Sequence, residues 1–411
     1  MEWKSIKDSL ERKCQDDYVS VLGRLRDVRK HKKRAFIDLV DYSGQIQLVI
    51  ERSENPQAYG VLSSLGRGAY ISADGIFVND KKGNPEIRVH GLEVISNSCL
   101  NIESPWDFNG ADPSYGNLVF SFLEAYVSNP QRAAILKIKT NFINALHAYF
   151  QNNRFTLVEP PILTDKTLYG EDKAIIAEVH GEKVFLSQCA TFELEPLALV
   201  FGKVYTISPA FRNESSGSKR HLTEYTLVKA EALFADISDL KSLSGDSIYY
   251  AMSEVLRMNE RELSVLGIDL QIEGLKPKNH EHILYNDALN LIQRKGSNTE
   301  WGVGLKRRDE IILTNHFGNR YLWVDFPPFV SEGFPYRRLP SDRRLSMTCD
   351  LIAPHGVGEI VGVAEKVIDL YSLIRDSPLK ISDKKFTRVL LEKHKKIGVK
   401  RGKISRFYYN D

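Results

Sequence analysis

The chain has 411 residues and a mass of 46.8 kDa, which suggests two or three domains at roughly 100–200 residues each. Hydrophobic residues make up 42% and charged residues 27% of the chain, and this composition excludes a disordered or fibrous protein. The formal net charge of +3 is too small to indicate a nucleic-acid partner by itself, so basic residues have to be judged locally.

The first hundred residues are predicted to form β structure. Five segments have the apolar and polar alternation or the β-branched and aromatic content of strands, and turn residues separate them. Five strands and one short helix near residues 55–64 are typical of an OB-type barrel. The predicted strands are residues 18–26, 35–40, 45–50, 69–78 and 85–90.

The spacing of apolar residues changes near Arg132. Apolar residues recur every three or four positions from residue 135 to residue 150, which predicts an amphipathic helix. Strands and helices follow without regular βαβ alternation, so the fold class is predicted as α+β. Further helices are predicted at residues 244–266 and 363–374, strands within 184–234 and at 321–326 and 345–353, and a variable insertion at about 269–297.

Cysteine spacing and hydropathy bear on the cell compartment. The cysteines form no CxxC pair, so neither a zinc ribbon nor a disulfide framework is expected, and free thiols are typical of a reducing cytosol. No apolar run approaches the roughly 18 residues of a membrane span, and the first residues do not form a signal peptide. We therefore expect a cytoplasmic protein without a membrane partner.

One polar stretch between two predicted strands contains groups suited to a nucleoside triphosphate. The chain has no P-loop and no GxGxxG motif, so an ATP site needs other groups. Arg212 is suited to bind the α-phosphate and stabilise the charge that develops there, and Arg220 and His221 to reach the outer phosphates. Glu214 is a candidate acceptor for the adenine amino group, and Tyr225 a candidate to stack on the base. The alternative is a solvent-exposed hairpin with a charged tip.

Several stretches resemble the class II aminoacyl-tRNA synthetases, in the same order along the chain. The letters FRNE from residue 211 and RHLTEY from residue 220 are similar to motif 2 of the aspartyl and asparaginyl subgroup. Residues 132–161 resemble motif 1, residues 24–47 the N-terminal anticodon-binding domain, and DLIAPHGVGEIVG from residue 350 an asparaginyl segment. The resemblance implies a five-stranded OB barrel followed by an antiparallel sheet flanked by helices.

The resemblance also implies domains, cofactors and partners. It divides the chain into an OB-fold anticodon-binding-like domain at residues 1–105, a linker at 106–130 and a catalytic domain at 131–411. ATP and Mg²⁺ are the implied cofactors, and an amino acid and tRNA the implied substrates. Motif 1 implies a homodimer through residues 132–161.

Residue roles follow from the same resemblance. Arg212 is implied as the catalytic residue, with the ATP roles given above. Asp350 and Glu359 are implied to hold Mg²⁺ against the phosphates, since carboxylate oxygens suit this ion; the alternative is a strand-end aspartate and a turn glutamate. In the OB domain the implied RNA-binding residues are Arg29, Phe36 and Gln47, through backbone, stacking and base-edge contacts respectively. The basic residues around them, which favour RNA, are Arg24, Arg26, Lys30, Lys32, Lys33 and Arg34.

Two parts of the family pattern are altered in this sequence. In the amino-acid pocket, Cys189 stands where the family has serine, and Thr191 where it has the glutamine that helps hold the substrate α-amino group. Lys366 replaces an arginine that binds the substrate side chain, which keeps the charge but loses the bidentate fork. Motif 3, whose arginine grips the γ-phosphate, does not follow residues 405–411, and losing such a clamp is expected to cost on the order of 10²–10³ in rate.

These observations leave three functions open. The first is an asparaginyl-type ligase, which activates asparagine or aspartate with ATP as the aminoacyl-adenylate and transfers it to tRNA; the GVGEIVG letters from residue 356 favour it. The second is a paralogue that activates another amino acid or carboxylate without tRNA, which the changes at Cys189, Thr191 and Lys366 suggest. The third is a non-catalytic RNA-binding or dimerising protein, which the motif 3 pattern suggests.

Overall fold

The computed structural model describes residues 5–11, 13–97, 129–165, 167–213, 222–332, 335–367 and the strand at 404–409. The chain divides into two compact units, Met1–Ala133 and Ala134–Asp411, and each is described by itself. Nearly all of the predicted linker at 106–130 lies outside the described residues. No helix in the described ranges is both long and apolar enough to cross a membrane.

The N-terminal unit contains a closed five-stranded barrel, as predicted. Its strand order is β1-β2-β3-β5-β4, and the parallel pairing of β3 with β5 completes the ring. Alternate side chains such as Ile37, Leu39 and Leu48 point inward and are fully buried, which is the pattern that a barrel interior requires. The elements are α1 (Ile6–Leu10), β1 (Tyr18–Lys30), β2 (Arg34–Val40), β3 (Gln45–Glu51), α2 (Pro56–Val61), β4 (Tyr70–Asn79) and β5 (Pro85–Ser96).

The second unit is built on one large sheet. In the described residues it has eight strands in the order β12-β13-β14-β15-β16-β11-β10-β6, and the pairs β6–β10 and β12–β13 are parallel while the other pairs are antiparallel. A separate sheet has the order β7-β9-β8. The strands are β6 (Thr156–Leu157), β7 (Leu163–Thr164), β8 (Ile176–Val179), β9 (Glu182–Leu186), β10 (Lys203–Phe211), β11 (Glu224–Leu233), β12 (Glu281–Leu284), β13 (Leu322–Asp325), β14 (Thr348–Ala353), β15 (Gly358–Glu365) and β16 (Ile404–Tyr409).

Two long helices cover one face of the large sheet. Phe150 from the first and Ala251 from the second are buried in one core with Tyr205, Trp323 and Val361 of the strands. The second helix begins at a capping box formed by Asp236 and Asp239, which satisfies donors of its first turn. The helices are α3 (Pro130–Asn152), α4 (Thr191–Phe201), α5 (Ile237–Met258), α6 (Glu260–Leu266), α7 (Tyr285–Arg294), α8 (Arg307–His316) and α9 (Phe329–Glu332).

Most of the predicted elements of this unit are present, and one is wrong. The helix predicted at 244–266 is present as α5 and α6, and the strands predicted at 321–326 and 345–353 are β13 and β14. The helix predicted at 363–374 is wrong at its start, because residues 363–365 belong to β15, where pairing on both sides overrides local propensity; residues 368–374 lie outside the described part. The segment predicted as a variable insertion, 269–297, contributes β12 to the sheet and α7 to a hydrophobic core.

Candidate functional site

Three charged residues of the second unit point to the sheet face opposite the two long helices. Successive side chains of a strand point to opposite faces. Val228 and Ala230 of β11 enter the helix-side core, so Lys229 and Glu231 point to the other face. Cys349 and its neighbour but one, Leu351, enter the same core, so Asp350 also points away from the helices.

Arg212 lies between two aromatic rings just after β10. Its guanidinium carbon is 4.7 Å from the ring centroid of Tyr169 and 5.7 Å from that of Tyr225. Both rings are within the range of cation–π attraction, which holds the planar cation in one orientation. The structure thus brings together two residues predicted for the nucleotide site and adds Tyr169. The other three predicted nucleotide-site residues, Glu214, Arg220 and His221, lie outside the described residues.

The two predicted metal ligands lie on neighbouring strands. Asp350 is on β14 and Glu359 on β15, where Glu359 pairs with Ile352. Burial raises the pKa of Asp350 well above its usual value, and the carboxylates of Glu359, Glu332 and Glu310 raise it further. Such concentrated negative charge opposes ionisation unless a cation neutralises it. Hard carboxylate oxygens on adjacent strands are a donor set that fits Mg²⁺.

Lys229 lies between two of the residues predicted for the amino-acid pocket. Its ammonium nitrogen donates to Sγ of Cys189 at 3.1 Å and to Oγ1 of Thr191. The Sγ and Oγ1 atoms are themselves 3.0 Å apart. Lys229 and Thr191 are fully buried, and Cys189 is nearly so. The ammonium of Lys229 therefore occupies the space beside Thr191.

The third predicted pocket residue, Lys366, belongs to the same buried network. Its ammonium donates to Oε1 of Glu231 at 2.8 Å and to Oε1 of Glu195. The same oxygen of Glu231 lies 3.5 Å from the ammonium nitrogen of Lys229. All three predicted pocket residues are therefore connected through Lys229 and Glu231, and Glu195 also pairs with Lys366. Sequence analysis missed Lys229, Glu231 and Glu195. We call these six residues the lysine–glutamate network: Cys189, Thr191, Glu195, Lys229, Glu231 and Lys366.

The contacts of Arg212 and the lysine–glutamate network meet at one small hydrophobic cluster. Tyr169 and Tyr225, the rings that contact Arg212, also pack against the small cluster that contains Cys189. Along the sheet, the register Lys229↔Tyr408↔Gly362↔Asp350 puts Lys229 and Asp350 in one cross-strand row. Three strand spacings separate them by about 14 Å. Lys229 and Asp350 therefore lie on the same face of the sheet.

The three residues predicted to bind RNA come together on the outside of the barrel. The guanidinium of Arg29 donates to Oε1 of Gln47 at 3.0 Å and pairs with Asp38 at 3.0 Å. Its Cζ atom is 5.8 Å from the ring centroid of Phe36. Gln47 also donates to Glu86 at 3.0 Å. An aromatic ring beside a partly exposed arginine and an amide is the combination that stacks on and reads an unpaired base.

Comparison with known proteins places both units in described families. The model of tRNA synthetases class II (D, K and N) matches residues 118–385, and that of the OB-fold nucleic acid binding domain matches residues 19–95. An asparagine–tRNA ligase of Desulforamulus reducens is 30% identical over 87% of this chain and 82% of its own length. One from Pyrococcus furiosus is 28% identical over 90% of this chain and 84% of its own.

A solved structure has the same fold. Asparaginyl-tRNA synthetase from Pyrococcus horikoshii, complexed with asparaginyl-adenylate, superposes with a TM-score of 0.89 at 24% identity. The superposition covers 100% of this chain and 93% of the other. The α+β architecture predicted from the sequence, a five-stranded OB barrel followed by the synthetase-like sheet, is therefore confirmed.

Proposed function

The chain belongs to the class II tRNA synthetases of the D, K and N group, and we propose that it is an asparaginyl-type ligase. It uses ATP to convert a carboxylic acid into an acyl-adenylate and then transfers the acyl group to tRNA. The observation that carries the proposal is the chain of contacts from Arg212, through the rings of Tyr169 and Tyr225, to the buried network at Cys189. One end suits a nucleotide and the other the acid.

Arg212 supplies the charge stabilisation in the proposed first step. The carboxylate of the acid attacks the α-phosphorus of ATP in line, the bond from that phosphorus to the bridging oxygen breaks, and pyrophosphate leaves. Negative charge on the α-phosphate oxygens grows during this step, and the fixed guanidinium is oriented before the charge appears. Tyr225 and Glu214 bind the adenine, and Arg220 and His221 the outer phosphates. Positioning and electrostatics rather than covalent chemistry accelerate the reaction.

Two candidates remain for the acid. Asparagine is the substrate named for the relatives of Desulforamulus reducens and Pyrococcus furiosus. A different carboxylate, activated with or without tRNA, is favoured by the buried ammonium of Lys229 beside Cys189 and Thr191. Either acid uses the same nucleotide site.

Acid-dependent exchange of pyrophosphate into ATP tests the proposal. We expect exchange with asparagine or with an analogue that differs from it at the α-carbon, and none without added acid. A second assay measures attachment of the same acid to tRNA. Folded protein that binds tRNA but supports no exchange with any acid would instead favour the non-catalytic function.

Asp350 and Glu359 are the proposed ligands of Mg²⁺, which would neutralise phosphate charge. The raised pKa of Asp350 means that the folded state binds its proton more tightly than the unfolded state does. The stability contributed by protonated Asp350 is therefore lost as the pH rises through that raised pKa. Without Mg²⁺ we expect Asp350→Asn to be more stable than the parent protein, by a margin that grows above the usual aspartate pKa of about 3.9.

Mg²⁺ titrations separate the metal from the pH effect. At tenfold excess over its Kd, Mg²⁺ should stabilise the parent protein by about 1.4 kcal/mol and leave Asp350→Asn unchanged, as measured by thermal unfolding. Asp342→Asn is the control: the side chain of Arg344 lowers the pKa of Asp342 to about 2, so this change should not stabilise. Equal Mg²⁺ responses in both variants would remove Asp350 from the proposed site.

The barrel is proposed to bind tRNA through Phe36, Arg29 and Gln47. Stacking of one base on an aromatic side chain contributes about 1–3 kcal/mol. Phe36→Ala should therefore raise the Kd for tRNA roughly 10- to 100-fold in a filter-binding assay, with exchange activity unchanged. Tyr18→Ala is the control, because Tyr18 is also exposed but begins β1 while Arg29 lies near its end. Equal losses in both variants would contradict a stacking role for Phe36.

The proposed assembly is a homodimer through residues 132–161. This region contains most of α3 and the short strand β6, and Ile135 and Leu136 of α3 are about half exposed. Burying such side chains against a second copy would contribute to association. The cytoplasmic location also stays a prediction from the sequence.

A further inference from the structure

We infer that the acid activated at this site carries a neutral α-substituent, such as a hydroxyl group, rather than the α-ammonium of an amino acid. The inference rests on the proposed adenylation and names the substrate class for it. It follows from the position of Lys229 inside the lysine–glutamate network, and Lys229 had no role in the sequence analysis.

Lys229 already donates to two polar atoms at the position where the family resemblance implies the α-substituent of the acid. Cys189 Sγ and Thr191 Oγ1 both accept hydrogen bonds from its ammonium nitrogen. An ammonium group has three donors and no acceptor, so it cannot accept from Lys229. A substrate ammonium at this position would meet a like charge without water to screen it. A hydroxyl group carries no charge, so Lys229 does not repel it.

The two glutamates of the network are already neutralised by its two lysines. Oε1 of Glu231 is shared by Lys366, at 2.8 Å, and Lys229, at 3.5 Å, and Glu195 pairs with Lys366. Two lysines and two glutamates already balance in formal charge. A substrate ammonium would add an uncompensated positive charge to a buried set of groups, which is costly.

One remaining atom favours a hydroxyl group over a hydrogen at the α-position. Oε2 of the fully buried Glu231 has no hydrogen-bond donor among the residues that the structure describes. A hydroxyl both donates and accepts. It can donate to Oε2 of Glu231 without adding a charge, and the other oxygen of Glu231 lies 3.5 Å from the ammonium nitrogen of Lys229. The geometry therefore matches an α-hydroxy acid better than it matches an unsubstituted one.

Three acids that differ only at the α-carbon test the inference: asparagine, its α-hydroxy analogue 2-hydroxysuccinamate, and succinamate. Acid-dependent pyrophosphate exchange should give kcat/KM at least about 100-fold higher for 2-hydroxysuccinamate than for asparagine, because like-charge repulsion disfavours the latter, with succinamate between them. Asparagine equal or preferred would overturn the inference and leave the proposed adenylation intact. No exchange with any acid would overturn both.

Changing Lys229 tests its part in this selection. Lys229→Gln keeps a donor and removes the charge, so the preference for 2-hydroxysuccinamate over asparagine should fall by at least about tenfold. This ratio is measured within one preparation and does not depend on the fraction of folded protein. Lys241→Gln is the matched control, because Lys241 pairs with Asp325 at 2.6 Å and is not part of the lysine–glutamate network. In this variant the preference for 2-hydroxysuccinamate over asparagine should stay at the parent value. An unchanged ratio in Lys229→Gln would contradict the inference.

Discussion

Replacing Arg212 by alanine is expected to lower kcat for pyrophosphate exchange by about 10²–10³, because one fixed electrostatic contact to the developing charge is lost. Arg212→Lys should recover only part of the rate, since an ammonium keeps the charge but not the planar stacking on Tyr169 and Tyr225. Single-turnover formation of acyl-adenylate measures the effect on the chemical step directly.

A surface arginine provides the control for this substitution. Arg257 pairs with Glu254 one turn away on α5, and its side chain is 67% exposed. Arg257→Ala removes the same charge from the protein and should leave exchange within about twofold, since exposed pairs of this kind contribute little. A loss below tenfold in Arg212→Ala, with the protein folded, would show that this guanidinium does not stabilise the reacting phosphate.

Lys366→Met should destabilise the second unit by about 3–5 kcal/mol, because it leaves two buried carboxylates without their common cation. Lys366 is 3% exposed, Glu231 is fully buried and Glu195 is 9% exposed. Methionine has a similar volume, so a cavity contributes little to the loss. At roughly 2–4 °C per kcal/mol for a unit of this size, Tm should fall by about 10 °C.

An exposed ion pair again gives the comparison. Lys183 and Glu171 are 2.5 Å apart, but their side chains are 50% and 62% exposed, so Lys183→Met should cost less than about 1 kcal/mol. Urea unfolding of the two variants and the parent protein measures the difference. Equal small losses would mean that solvent reaches the lysine–glutamate network.

The sequence predicted part of the lysine–glutamate network. The period of two in a strand could have identified further members. Cys189, Thr191 and Lys366 were identified through aligned motifs, and the structure connects them. Lys229 and Glu231 were missed, although they alternate with the apolar residues Val228 and Ala230. Alternate side chains of a strand lie on the same face, so both charged residues are expected on the face of Tyr225. A lysine and a glutamate that alternate with apolar residues of one strand were the available signal.

Other parts of the site depend on contacts between distant segments. Tyr169 contacts Arg212 only because the segment before β8 passes beside the end of β10, and no local pattern reports this. The prediction that a helix starts at residue 363 was wrong for a related reason. Those residues are compatible with a helix, but β14 and β16 pair with them on both sides, and such tertiary pairing outweighs local preference.

The place of β16 in the sheet sets an order of events during synthesis. It lies between β15 and β11, so these two strands are joined in one sheet only through residues 404–409. The ion pair of Lys366 with Glu231 links the residue after β15 to β11 across β16. While the ribosome has yet to deliver β16, the barrel, whose strands are all encoded before residue 97, can already close. The large sheet of the second unit can be completed only after β16 has been synthesised, because β16 pairs with both β11 and β15. The acid pocket can therefore be assembled only after translation has passed residues 404–409.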